Sequence, residues 1–225
     1  MHTIPDLNSS SHPNQPILQA GKPLAEAKAA LILIHGRGAN AQTILGLHTV
    51  LPHPDLIYLA PNAEEGSWYP YSFLSPIEQN EPYLSEALQM IADLVAHVEA
   101  AGIPPEKIIL GGFSQGACLA SEFVARHARR YGGLLVFSGG VIGPFGTPRA
   151  YPGSLDGTPV FIGCSDVDAH IPLARVHETT EVFTRLGARV TEKIYPGMGH
   201  TVIKNEVDHA LEIVKEVTRS NGTGI

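Results

Sequence analysis

The sequence predicts an α/β fold, with a central, mostly parallel β-sheet carrying helices on both faces. Two features predict it. Beyond the N-terminal stretch, short apolar runs alternate with longer stretches of helical period, the pattern that a helix-covered parallel sheet produces. Most of the apolar runs are continuous rather than alternating, as expected of strands buried on both faces. With 225 residues, 44% hydrophobic and 16% charged, the chain has the composition of a packed globule and the length of one domain spanning residues 1–225.

Residues 1–20 contain Pro5, Pro13 and Pro16 and read as an extended segment that can be partly ordered as an edge strand. Strands follow at Leu31–Ile34, Leu56–Ala60, Lys107–Leu110, Leu134–Phe137 and Pro159–Ile162. Val190–Tyr195 alternates instead, which places it nearer a sheet edge. Leu84, Leu88, Ile91, Val95 and Val98 recur at helical spacing, with Asn80 or Glu81 as a cap, Pro82 in the first turn and Gly102 past the end. Further helices are expected over Gln115–His127, Pro172–Leu186 with Gly187 as its stop, and Asn205–Val217. The Gly- and Pro-rich stretch Pro144–Gly157 reads as a long loop.

A formal net charge of −7, without a dense Lys/Arg run, argues against nucleic acid as a partner. Cys118 and Cys164 form no Cys-x-x-Cys pair and suit core positions in a reduced compartment. The N-terminus has no basic-then-apolar signal segment, and the longest apolar stretch, Ala29–Ile34, is too short to span a bilayer. No long amphipathic lid is apparent either. These features fit a soluble, cytoplasmic protein with no stable membrane association.

Gly112-Phe113-Ser114-Gln115-Gly116 is a G-x-S-x-G pattern lying directly between a buried strand and an amphipathic helix. A serine on such a sharp turn has an exposed hydroxyl, and the flanking glycines leave room where side chains would collide. The turn also sets the serine at a helix N-terminus, whose free N–H groups favour developing negative charge. Ser114 is therefore the candidate nucleophile of an α/β-hydrolase type of enzyme.

Such a serine needs a base and a carboxylate to orient that base, in the chain order Ser, acid, His. Among 11 histidines, His200 follows a strand within Pro196-Gly197-Met198-Gly199-His200, which leaves its ring at the carboxyl edge of the sheet. His127 and His209 fall at helical positions where solvent exposure is the expected fate. The strand Pro159–Ile162 leads into two carboxylates, Asp166 and Asp168, only one of which can face His200. No Asp-x-Asp-x-Asp-Gly loop follows, so a metal site is not expected. Oxyanion donors are expected from the N–H of Gln115, after the nucleophile, and of Arg37, in the loop His35-Gly36-Arg37-Gly38. His35 reads as a structural residue shaping that loop. The Arg37 side chain can be solvated or can meet an acidic substrate.

The chain resembles the phospholipase/carboxylesterase family, small lidless α/β-hydrolases that include acyl-protein thioesterases. The resemblance rests on His35-Gly36-x-Gly38, Ser67-Trp68-Tyr69, the Ser114 pentapeptide, Ser138-Gly139-Gly140, Asp168 with Ile171-Pro172, and Gly197-Met198-Gly199-His200, in order over about residues 25–215. It implies Asp168 as the acid, with Asp166 left as a turn or capping residue. It also implies no cofactor and frequent homodimers. Two departures from the thioesterase branch stand out: Arg37 replaces an apolar residue, and Tyr69-Pro70-Tyr71-Ser72-Phe73-Leu74 replaces the usual residues beside the tryptophan. In a chain only 7% aromatic, Trp68, Tyr69, Tyr71 and Phe73 form a dense patch, either a packed loop or the wall of a substrate pocket. The expected activity is hydrolysis of small to medium carboxylic esters through an acyl-enzyme. The alternatives are a thioesterase or lysophospholipase and, in a different class, a binding protein that keeps the fold without catalysis.

Overall fold

The computed structural model describes residues 2–3 and 17–219. Its strands are β1 (His2–Thr3), β2 (Leu18–Gly21), β3 (Ala29–Ile34), β4 (Leu56–Ala60), β5 (Ile108–Phe113), β6 (Gly133–Phe137), β7 (Pro159–Ser165) and β8 (Arg189–Tyr195). Its α-helices are α1 (Ala41–Leu45), α2 (Tyr83–Ala100), α3 (Gln115–Arg126), α4 (Leu173–Arg185) and α5 (Lys204–Val217). The strands form one sheet in the order β1-β2-β4-β3-β5-β6-β7-β8. From β4 to β8 every pairing is parallel, while β2 runs antiparallel to β4 and β1 antiparallel to β2. Part of the expected N-terminal extension is thus ordered at the sheet edge; residue 1 and residues 4–16 of it lie outside the described residues.

The period of two in a strand assigns its side chains to two cores. In β3, Ala30, Ile32 and Ile34 pack beneath α2, α3 and α4, while Ala29, Leu31 and Leu33 face α1 and α5. All six are buried, which is why the run reads as continuous apolar residues instead of an alternation. Burying each Leu or Ile of this kind stabilises the fold by roughly 1.5–3 kcal/mol. β8 closes the other edge with an alternating half-buried and exposed pattern, and its Arg189, Glu192 and Lys193 discourage further strand pairing.

Most differences from the expected elements lie at their ends. β5 and β7 run three residues further, carrying the chain to Phe113 and Ser165. The five-residue α1 was not foreseen: it is too short for a periodic signal, and Asn40 caps it by accepting the Thr43 N–H at 3.0 Å. Neither expected cap of α2 acts as a side-chain N-cap, because Pro82 takes that position. Instead Glu81 accepts the Ser85 N–H, and Asn80 turns away to hold the aromatic loop. Residues 144–157 contain no helix or strand. They are tied down by a buried ionic network: Glu122 accepts from the Ile142 N–H, Arg126 and the Tyr151 hydroxyl, while Arg149 and Arg175 share Glu178.

Candidate active site

The crossing of β5 into α3 dictates the geometry around Ser114. The turn passes so close to β3 that a Cβ on Gly116 would lie 2.1 Å from the Ile34 carbonyl oxygen, and one on Gly112 would lie 2.5 Å from the Gly116 backbone. Glycine at both positions lets β5 reverse sharply into the helix. Ser114 takes up the strain of the turn, with φ 56° and ψ −121°, a conformation that costs a non-glycine residue on the order of 1–3 kcal/mol. Its N–H is anchored on the Phe137 carbonyl, so the hydroxyl projects from the carboxyl edge of the sheet.

The loops after β7 and β8 bring two further candidates to this hydroxyl. His200 Nε2 lies 2.8 Å from Ser114 Oγ, and His200 Nδ1 lies 2.7 Å from Asp168 Oδ2. Asp168 Oδ1 accepts the N–H groups of His170 and Ile171, and its other oxygen also faces the Cys164 thiol at 3.8 Å. Burial alone would raise the Asp168 pKa, but the bonds from His200 and from the two N–H groups outweigh it and hold the carboxyl below its usual range. The ring of His200 leans on Phe113 at 4.7 Å and meets the edge of His170 at 4.7 Å. Asp166 is placed apart from the imidazole: it accepts the Gly197 N–H at 2.8 Å and so pins the loop that delivers His200.

On the opposite side, Gly36 passes so near Ser114 that a Cβ there would sit 3.2 Å from Ser114 Cβ. This close approach sets Arg37 along the cavity that Gln115 also borders. Among the described residues neither the Arg37 N–H nor the Gln115 N–H has an acceptor. His35 supports the loop from beneath, accepting the Ala63 N–H at Nε2 and bonding the Gly36 carbonyl through Nδ1. Burial pushes its pKa down, against the opposing pull of that carbonyl, so it is a neutral structural ring. His127 and His209 stay away from the site. Their rings stack on Phe123 and Phe161, so contrary to expectation His209 is half-buried rather than a solvent-facing helix residue.

Ser114 and His200 open into a cavity of about 600 Å³, walled by Tyr69, Tyr71, Phe73, Phe113, Cys118 and Ile171. Trp68 does not line this cavity. Its ring packs on His35 at 4.9 Å and its indole N–H donates to the His35 carbonyl, so it belongs to the support of the Arg37 loop. The Arg37 guanidinium is bound to the protein itself, donating to Ser67 Oγ and to the carbonyls of Tyr69, Pro70 and Tyr71. His170, at the cavity rim, was missed in the sequence because its place beside His200 depends on the turn made by the Asp168 loop. Among the described residues, no group of three or more His, Cys, Asp or Glu side chains is gathered as for a metal ion, and no helix is long and apolar enough to cross a membrane.

Comparison with known proteins agrees with this architecture. Residues 19–218 match the family model described as Phospholipase/Carboxylesterase. The crystal structure of a phospholipase/carboxylesterase from Dyadobacter fermentans superposes with a TM-score of 0.86 at 40% identity, covering 90% of this chain and 97% of that one. Acyl-protein thioesterase 1 of Debaryomyces hansenii is 25% identical over 91% of this chain and 97% of its own length. A probable carboxylesterase of Oryza sativa subsp. japonica is 26% identical over 65% of this chain and 62% of its own. The chain belongs to the phospholipase/carboxylesterase family of α/β-hydrolases and is a serine hydrolase acting on esters.

Proposed function

We propose that Ser114, His200 and Asp168 form the catalytic triad of a carboxylesterase, with the N–H groups of Arg37 and Gln115 as its oxyanion hole. The continuous chain of hydrogen-bond distances, 2.8 Å from Ser114 Oγ to His200 and 2.7 Å from His200 to Asp168, carries this reading. His200 Nε2 takes the Ser114 proton as Oγ attacks the ester carbonyl, and the two N–H groups stabilise the tetrahedral oxyanion. His200 then hands the proton to the departing alkoxide, leaving an acyl-Ser114. Water deprotonated by the same imidazole attacks the acyl carbon and regenerates the serine. Asp168 holds Nδ1 protonated throughout, so that Nε2 is free to act as the base.

Tyr69, Tyr71 and Phe73 form the wall against which the substrate rests, and Trp68 contributes by holding the loop behind them. The chain works as one domain, in the cytoplasm and as a homodimer, without metal or cofactor. Thioester cleavage is the second reading, favoured by the relative named as an acyl-protein thioesterase. One assay separates these readings: hydrolysis of an acyl chain presented both as its p-nitrophenyl ester and as its CoA thioester. Turnover of the ester is expected to be lost on Ser114→Ala while the circular dichroism spectrum is retained. Undiminished turnover in that variant would refute the mechanism, and a strong preference for the thioester would move the assignment to the second reading.

A further inference from the structure

We propose that the Arg37 side chain is a positioning residue that fixes the aromatic wall relative to the oxyanion hole and so sets the preference for acyl chains long enough to reach that wall. The inference rests on the triad reading above. Three successive carbonyls, those of Tyr69, Pro70 and Tyr71, converge on one guanidinium at 2.8, 2.9 and 2.7 Å. Carbonyl dipoles aimed at one point repel each other unless a cation sits there, and a planar fork of donors satisfies several at once where a lysine ammonium would not. The fourth acceptor, Ser67 Oγ at 2.9 Å, itself donates to the Tyr69 carbonyl. All four Nη hydrogens are thereby engaged. Among the described residues no carboxylate forms an ion pair with Arg37, and its guanidinium meets the negative ends of the loop carbonyl dipoles instead.

A second side chain grips the same segment from the other side. Gln115 accepts the Trp68 N–H at 3.1 Å and donates to the Tyr69 carbonyl at 2.8 Å. Arg37 and Gln115 are the two residues whose N–H groups face the reacting carbonyl in the proposed mechanism. The wall that meets the acyl chain and the donors that meet the oxyanion are therefore parts of one hydrogen-bonded unit. Without the guanidinium the wall can shift while Gln115 still holds the Trp68 N–H and the Tyr69 carbonyl beside the donors, so contacts made by a long acyl chain are lost from the transition state, hence from kcat, and an acetyl group that does not reach the wall is spared.

The test holds the leaving group constant as p-nitrophenol and compares acetyl, butanoyl and hexanoyl esters with the wild type, R37M and R37K. The ratio of kcat/KM for hexanoyl over acetyl is expected to fall at least about tenfold in R37M, through kcat more than KM. R37K is expected to recover only part of it, and methylguanidinium added to R37A is expected to restore the ratio where tetramethylammonium does not. A uniform fall across all three esters, or an unchanged ratio, overturns the proposal. If R37M fails to fold, R37K and the methylguanidinium rescue decide the matter. A wild type inactive on every ester would refute the triad reading instead.

Discussion

In the proposed triad the orientation of His200 depends on Asp168. Its two oxygens accept from two backbone N–H groups and from the imidazole, so the carboxylate is anchored before it anchors the ring. Asp168→Asn keeps the size but can present an amide N–H to Nδ1, which then becomes the acceptor and leaves the proton on Nε2. The variant is expected to fold and to lose about 10³–10⁴-fold in kcat, measured by steady-state ester hydrolysis. A loss of less than about tenfold would mean that Asp168 does not hold the tautomer. This role was only partly legible in the sequence. The family resemblance singles out Asp168 over Asp166, but the physical reason lies in the turn after β7, which aims one carboxylate at His200 and the other at the Gly197 N–H.

At the scale of elements, the β5–turn–α3 unit shows how a short pattern can specify a site. Gly116→Ala would drive a methyl group into the Ile34 and His35 carbonyls, both backbone atoms that cannot swing aside. The expected result is a loss of about 1–3 kcal/mol in urea denaturation, accompanied by lower turnover. Unchanged stability would show that the turn tolerates a Cβ. The strands of the central sheet were legible because each is buried on both faces and leaves an unbroken apolar run; β4 has the bounds expected for it. The unit made by the 67–74 loop was not. Its Trp68 faces His35, and its order comes from long-range bonds to Arg37, Gln115 and Asn80, partners 9 to 47 residues away. Local sequence carries no trace of such partners, and an arginine in a glycine-rich loop looks the same whether solvated or bound to three carbonyls.

Across the whole molecule, buried titratable groups give stability two opposing dependences on pH. His35 has a lowered pKa in the folded chain, so its contribution is complete above about 6.5 and is lost as the pH falls below that value. Asp168, also lowered, keeps its contribution above the ordinary carboxylate range and loses it as pH falls through its folded pKa. Glu206 works the other way. Packed without solvent contact against Gly163, its carboxyl is pushed by burial up to about 7, only partly opposed by the Ile203 N–H. The unfolded chain releases this proton near pH 4.5 and the folded chain near 7, so stability declines across that interval and levels off above it. Glu206→Gln should therefore remove a decline of up to about 3 kcal/mol between pH 5 and pH 8, read as the difference in urea midpoints. Parallel profiles for wild type and variant would show that Glu206 is ionised alike in both states.

The central claim, that this whole assembly exists to make the Ser114 hydroxyl a nucleophile, is tested most directly by covalent labelling with a fluorophosphonate followed by peptide mass spectrometry. The expected result is one phosphonyl group per chain on the peptide carrying Ser114, with ester hydrolysis lost in proportion to labelling and no adduct formed by His200→Ala. An adduct on a different residue, or full ester hydrolysis by a chain quantitatively labelled at Ser114, would contradict it.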